Sequence, residues 1–261
     1  MQLAVRRRGR WRKRWIYAAA FAEELMVCAA RVQVGPLGQT FWAVLDRRSG
    51  GLRERTRVRL PGRRGEVWGD RGLIRIASPA ARGQLRIGAA RAIEVTVPTA
   101  EGLAVWTRKA AGMPVEVDLD LDGRRIQVEG RGVTDETSGY HPRRTVWNWS
   151  AGVGAVRDGR RVAWNLVEGV NDPPTGSERA IWLDGEPFEP APVAFEGLVG
   201  IDFADGARLA FAAEAERRRE ENRLVVRSSY RQPFGRFAGS LPGGLELVDG
   251  LGVMEHHDVR W

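Results

Sequence analysis

VEVDLDLDG (115–123), followed at once by RRIQVEGRG (124–132), decides how this chain is read. Val115, Val117, Leu119 and Leu121 alternate with Glu116, Asp118 and Asp120. Side chains on a strand point to opposite faces in turn, so strict alternation describes a strand with one buried side. Asp122-Gly123 stands between the two runs, and this dipeptide suits a two-residue hairpin turn. The same grammar repeats outward. Upstream, strands are predicted over 15–21, 25–34, 40–46, 52–60, 73–78, 84–88 and 92–98. Downstream they are predicted over 145–153, 161–169, 179–185, 193–198, 199–206, 207–214, 223–230, 236–241, 245–250 and the last ten residues. Asp158-Gly159, Asp184-Gly185 and Asp205-Gly206 are further hairpin signals. Scattered Gly and Pro, sequential strands and scarce helix predict an all-β chain of antiparallel barrel or sandwich type.

Two segments admit another reading. Residues 15–30 carry Ala, Glu, Leu and Met enough for a helix, and AEAERRREEN (213–222) suits a short helix or an exposed hairpin end. TDETSGYHPRR (134–144) is polar and turn-rich. A connector is therefore expected over 132–142, between an N-terminal half (1–131) and a C-terminal half (143–261), both barrel- or sandwich-like. No fixed-period repeat is visible. Pro233 and Gly235 in YRQPFGRFAG (230–239) predict a bent strand at an edge, bulge or corner.

The net charge is +8 and almost wholly Arg, since Lys13 and Lys109 are the only lysines. Basic charge that serves nucleic acid usually clusters, and here it is spread through every segment. The one cluster, Arg6 to Arg14, is read as a solvated lead-in with Trp11 and Trp15 as packing residues, and nucleic-acid binding through it is the weaker alternative. Cys28 is the only cysteine, which fits a reducing, cytoplasmic compartment. Glu23 and Glu24 interrupt the apolar run that follows the basic start, which argues against a secretory signal. No run of 18 apolar residues is present, so no membrane span is expected.

The last ten residues, GVMEHHDVRW (252–261), hold the candidate site. As a strand they put Val253, Glu255, His257, Val259 and Trp261 on one face. A carboxylate and an imidazole among apolar side chains are costly unless paired or used. Burial raises a carboxyl pKa and lowers an imidazole pKa, and mutual pairing opposes both, so Glu255 and His257 are the candidate acid–base pair, with a purely structural pair as the alternative. Trp147 and Trp149 share a face in TVWNWSAGV, and with Trp164 and Trp261 they are expected to wall a cavity. Asn165, Glu178 and His141 are further ligand-contact candidates, each with a structural alternative: a satisfied amide, a loop-edge ion pair and a core histidine. Tyr230, Arg231 and Gln232 carry hydrogen-bonding groups in a segment that turn chemistry alone explains. No metal is expected, because His141 would have to join Glu255 and His257 without a CxxC or HExxH element. No P-loop or GxSxG element occurs, and Gly152-Val153-Gly154 lacks the third glycine of a dinucleotide loop, where Arg157 stands.

GYHPRRTVWNWSAGVG, VAWNLVEGVNDPP, SERAIWLDG, RSSYRQPFGRFAG and GVMEHHDVRW, in that order, together with RKRWIY near the start, resemble the bacterial DUF2804 family. The resemblance is densest from Gly139 onward and loose from Leu52 to Pro114. The chain begins closer to RKRW than many relatives do, so a missing N-terminal segment is an expectation. The resemblance implies a fold similar to lipocalin-like proteins with two consecutive barrels, among them carotenoid hydratases and tocopherol cyclase. It implies long apolar, isoprenoid-like substrates and no redox cofactor. The family has no established activity, and no catalytic residue is carried over from it. Two readings stay open. The first is binding of an apolar, lipid- or isoprenoid-like small molecule. The second is a lyase or isomerase of hydratase or cyclase type, with Glu255 as acid and His257 tuning it.

Overall fold

The computed structural model describes residues 4–59, 65–99, 101–222 and 227–261. Among them there is no helix. A short ribbon, β1 (Arg6–Arg7) and β2 (Arg10–Trp11), precedes two large antiparallel sheets. The first holds β3 (Lys13–Phe21), β4 (Leu25–Val34), β5 (Leu37–Asp46), β6 (Gly51–Arg59), β7 (Val67–Gly69), β8 (Leu73–Ala77), β9 (Ala81–Ile87), β10 (Ala92–Pro98), β11 (Ala104–Leu121) and β12 (Arg124–Gly139). The second holds β13 (Arg144–Val156), β14 (Arg161–Glu168), β15 (Ala180–Leu183), β16 (Glu186–Phe188), β17 (Val193–Glu196), β18 (Gly200–Phe203), β19 (Arg208–Asn222), β20 (Arg227–Leu241) and β21 (Leu245–Arg260).

The two sheets share one topology. The first runs β6-β5-β4-β3-β12-β11-β9-β8-β7, with β10 also on β11, and the second runs β16-β15-β14-β13-β21-β20-β19-β18-β17. In each, four strands meander outward, and a returning meander brings its last strand back to the first. The result is two curled, lipocalin-like half-barrels. On its edge away from β12, β11 serves two neighbours because a bulge at Gly112 (φ 82°) divides it: β10 pairs before the bulge and β9 after it. The hairpin that opened the reading is present in register, Leu121 opposite Arg124, with positive φ at Asp122 and Gly123, and Asp184-Gly185 turns in the same way.

Three apolar layers follow from strand alternation. Ala18, Val27, Trp42, Ile74, Leu85 and Val115 fill the first curl. Val162, Trp164, Ile201, Leu209, Phe237 and Met254 fill the second. Tyr17, Met26, Cys28, Trp149, Phe234 and Val253 belong to a third layer shared by both sheets. Central strands therefore bury both faces, which explains the unbroken apolar run in β4 that also suited a helix.

Two open readings resolve and two expectations change. Residues 15–21 and 25–30 are strand, as first read, with a turn at 22–24, and the charged stretch 213–222 is the far end of β19, paired with β20. Gly132 to Gly139, expected within the connector, complete β12 against β3 and β11, so the link between sheets shortens to residues 140–143. β20 is an interior strand, not an edge, and it accepts Pro233 because Gln232 and Pro233 drop out of its ladder with β21 between Arg231↔His256 and Phe234↔Val253. The expected strand positions Leu60 and 223–226 lie outside the described residues.

Candidate functional site

A cavity of about 420 Å³ lies between the two sheets, within the size range of small-molecule sites. β3, β4 and β5 supply Trp15, Tyr17, Ala30, Val32 and Phe41; the second sheet supplies Trp147, Trp149, Tyr230, Glu255, His257 and Trp261. Leu37 and Val58, both about half exposed (45% and 49%), belong to the lining and mark where it meets solvent.

Glu255 is its best-held polar group. β21 turns it inward opposite Trp149 on β13, and the lapse in the ladder at Pro233 leaves Gln232 facing it. Trp147 Nε1 donates to Oε1 at 2.9 Å; Tyr230 Oη donates to Oε2 at 2.8 Å and Gln232 Nε2 at 3.1 Å. No cation forms an ion pair with it among the described residues. Burial pushes the carboxyl up to about 7, against the hydrogen bonds from Tyr230 and Trp147, which favour the charged form. Near neutral pH this group both holds and releases a proton.

His257 lines the same cavity, but the two candidates do not bond to each other. Its Nε2 lies 2.8 Å from Ser228 Oγ, and its ring stands 4.4 Å from the ring of Trp147 and 5.1 Å from that of Tyr230. Burial, with help from Arg217, holds the imidazole well below its usual range, so it is neutral and does not set the charge of Glu255. Arg217 is buried over Phe41 (4.0 Å) and Tyr230 (4.7 Å), and its Nε lies 2.9 Å from Glu54 Oε2. Of the N-terminal basic cluster, Arg10 pairs with Glu101 and Arg8 donates to the Glu101 carbonyl, while Trp11, 42% exposed, lays its indole against Gly35.

A second polar group meets the cavity on its other wall. Lys109 Nζ lies 2.7 Å from Asp135 Oδ1 and 3.3 Å from Glu178 Oε1. Trp15 Nε1 donates to Asp135 Oδ2 at 3.0 Å, and Asn171 Nδ2 donates to Glu178 Oε2 at 3.0 Å. Burial works against the ammonium of Lys109, but the two carboxylates outweigh it and hold it charged. Burial raises Glu178 despite Lys109. His141 also lines the cavity, 1% exposed, its ring 5.2 Å from that of Trp15.

The structure thus brings Glu255, His257, Trp147, Trp149, Trp261, Glu178 and His141 to one cavity. It separates one expected wall residue, Trp164, and one candidate ligand contact, Asn165, from them. Trp164 faces the second sheet's own interior, bonded to Ser150 Oγ and packed on Phe237, in space that Gly152 leaves open: a Cβ there would stand 2.2 Å from the indole. Asn165 takes the Trp149 indole N–H at 2.8 Å and donates to the Glu178 carbonyl at 2.7 Å, so its amide orients the wall from behind. Tyr230 and Gln232 hold Glu255 from β20, whereas Arg231 points outward to Glu216. Tyr17, Asp135, Lys109 and Arg217 escaped the sequence reading. The two lysines did carry a signal, for both are buried in a chain that otherwise uses Arg. The terminal strand is tied down by Trp261 N–H to the Arg143 carbonyl at 2.8 Å. No group of three metal-ligating side chains occurs among the described residues, and no helix there is long and apolar enough to cross a membrane.

The same fold occurs in solved structures of low identity. An AttH-like protein of Nitrosomonas europaea matches over 94% of this chain and 92% of its own, at 14% identity and a TM-score of 0.53. Kievitone hydratase of Nectria haematococca matches over 94% and 88%, at 11% identity and a TM-score of 0.59. CghA matches over 94% and 87%, at 11% identity and a TM-score of 0.54. No curated protein matches in sequence. The family model for the domain of unknown function DUF2804 matches residues 74–261, which include β13 to β21 and every second-sheet residue of the cavity, and the chain belongs to that family.

Proposed function

We propose that this protein binds an apolar small molecule in the inter-sheet cavity and acts on it as a lyase or isomerase of hydratase or cyclase type, with Glu255 as the proton donor. One observation carries the reading: a buried carboxyl without a counter-ion, fixed by three neutral donors, at the wall of an aromatic cavity. An apolar ligand gains nothing from such a group in a merely binding site, and leaving it there costs stability. Protonation of an alkene, enol or epoxide gives it a use, and the indole and phenol faces stabilise the cation that develops. The hydratase among the solved structures of this fold supports the reading by analogy.

The predominantly apolar lining also favours a second reading, binding without turnover. Incubation of the protein in heavy water with a panel of polyenes and prenyl alcohols separates the two. Turnover predicts deuterium incorporation by the natural sequence, seen by mass spectrometry, and none by Glu255→Gln. Retention of such compounds in native mass spectra with no incorporation at any pH from 5 to 8 would leave only the binding reading.

A further inference from the structure

We propose that the end of the first sheet around the cavity mouth docks on the surface of an anionic lipid bilayer. Uptake of an apolar ligand from that bilayer rests on the reading above; the docking itself does not. The face is built from three neighbouring segments. Leu37 begins β5 just after the β4–β5 turn, and Val58 on β6 stands opposite Gln39, two residues farther along. Positions two apart share a face, so both side chains project on the cavity side at its mouth. The ribbon of β1 and β2 closes on the same turn. The Gly35 amide donates to the Arg12 carbonyl at 2.9 Å, the Arg12 amide donates to the Val5 carbonyl at 2.8 Å, and the Trp11 indole covers Gly35. Val5, Trp11, Leu37 and Val58 are four of the seven large apolar side chains that stand exposed among the described residues. Single exposed apolar residues are ordinary, but a group of them at one cavity mouth marks an interaction surface.

The same segments are cationic throughout. Residues 4–14, 31–40 and 55–59 hold ten Arg and one Lys, and no Asp or Glu. Carboxylates from outside reach only some of them: Glu101 pairs with Arg10, and Glu66 pairs with Arg55 and Arg57. Arg6, Arg7, Arg14 and Arg31 form no ion pair with a carboxylate among the described residues. Arg6 lies 5.1 Å over the Trp11 ring, and the Arg59 side chain lies against Gly38, beside Leu37. Burial, then the charges of Arg14 and Arg59, lower the pKa of Arg31, so these three guanidinium groups feel one another. Across the mouth, Arg219 and Glu221 of β19 pair at 2.5 Å and add no net charge. Anionic headgroups answer this face in both respects. Guanidinium groups attract them, an exposed indole suits the headgroup level, and Leu37 and Val58 suit the acyl boundary. A nucleic acid would use the charge and leave the apolar centre in water. A second copy of this chain would bring like charge against like.

Sedimentation of the whole chain with vesicles tests this, using phosphatidylcholine alone or mixed equally with phosphatidylglycerol. Binding should require the mixed vesicles and weaken as salt rises. Arg7→Ala combined with Arg14→Ala should lower it about thirtyfold, the worth of two charges at an anionic surface. Trp11→Ala keeps the charge and should lower it about tenfold through lost apolar contact. Naphthalene, titrated without vesicles and followed by ligand-observed NMR, serves as a separate probe of the cavity. Its affinity should be unchanged in these variants, which also shows that they fold. Equal binding to both kinds of vesicle, binding to neither, or full binding by the arginine variant or by Trp11→Ala overturns the docking. So does tighter binding of a DNA duplex than of the mixed vesicles. Vesicle binding without naphthalene binding keeps the docking and sinks the cavity reading. Naphthalene binding without vesicle binding sinks the docking alone.

Discussion

Glu255→Gln should change how the stability of this protein depends on pH. In the unfolded chain the carboxyl ionises near 4.5, and in the folded chain near 7. Between those values the folded state holds a proton that the unfolded state has lost. Stability is therefore favoured below pH 4.5 and falls as pH rises through 7. Each unit of difference is worth 1.36 kcal/mol, so the loss amounts to about 3 kcal/mol by pH 8.5. Gln keeps the shape and can still accept from Trp147, but it does not titrate. The stability of Glu255→Gln relative to the natural sequence should consequently rise by about 3 kcal/mol between pH 4 and pH 8.5. Urea unfolding followed by fluorescence of the ten tryptophans gives both curves. A relative stability of Glu255→Gln that stays flat with pH, or falls as pH rises, would refute the claim that burial without a counter-ion governs this carboxyl.

Other substitutions test the frame around it. Lys109→Met leaves Asp135 and Glu178 buried without their cation and should cost about 3–5 kcal/mol at pH 7, less at pH 4, by thermal or urea unfolding. Gly152→Ala drives a methyl into the Trp164 indole and should cost about 1–3 kcal/mol, partly restored by adding Trp164→Phe. Trp164→Phe alone should lower stability yet leave probe affinity unchanged, whereas Trp147→Phe should weaken probe binding and raise the apparent pKa of Glu255 by removing a donor to its charged form. Equal effects of the two on binding would contradict the assignment of opposite faces.

Much of this was readable from residues. Alternation in 115–132 gave strands, Asp-Gly gave the turn, and the terminal strand put Glu255, His257 and Trp261 on one face because a period of two leaves no choice once the strand is granted. What stayed hidden depends on contacts far apart in sequence. The shared topology of the two sheets leaves no sequence period, since each strand answers to its own neighbours. The connector was drawn too long because Thr134, Asp135, Glu136 and Thr137 look like loop residues. Asp135 is buried against Lys109 and Trp15, from two other strands, and polarity alone does not reveal such partners. Trp164 was misplaced as a wall because adjacent residues on a strand face opposite layers, and only the sheet pairing shows which layer holds the cavity.

The central strands are covered on both sides. Met26 and Cys28 lean on the second sheet, while Val27 and Ala29 lean on the first sheet's own interior. Pulling the halves apart would wet a whole apolar layer, so a hinge that opens like a book is energetically closed to this molecule. On the proposed function, a guest would instead slip past the greasy doorway at Leu37 and Val58, and exchange should be governed by side-chain rearrangement there, on a timescale set by rotamers and loops rather than by domain motion.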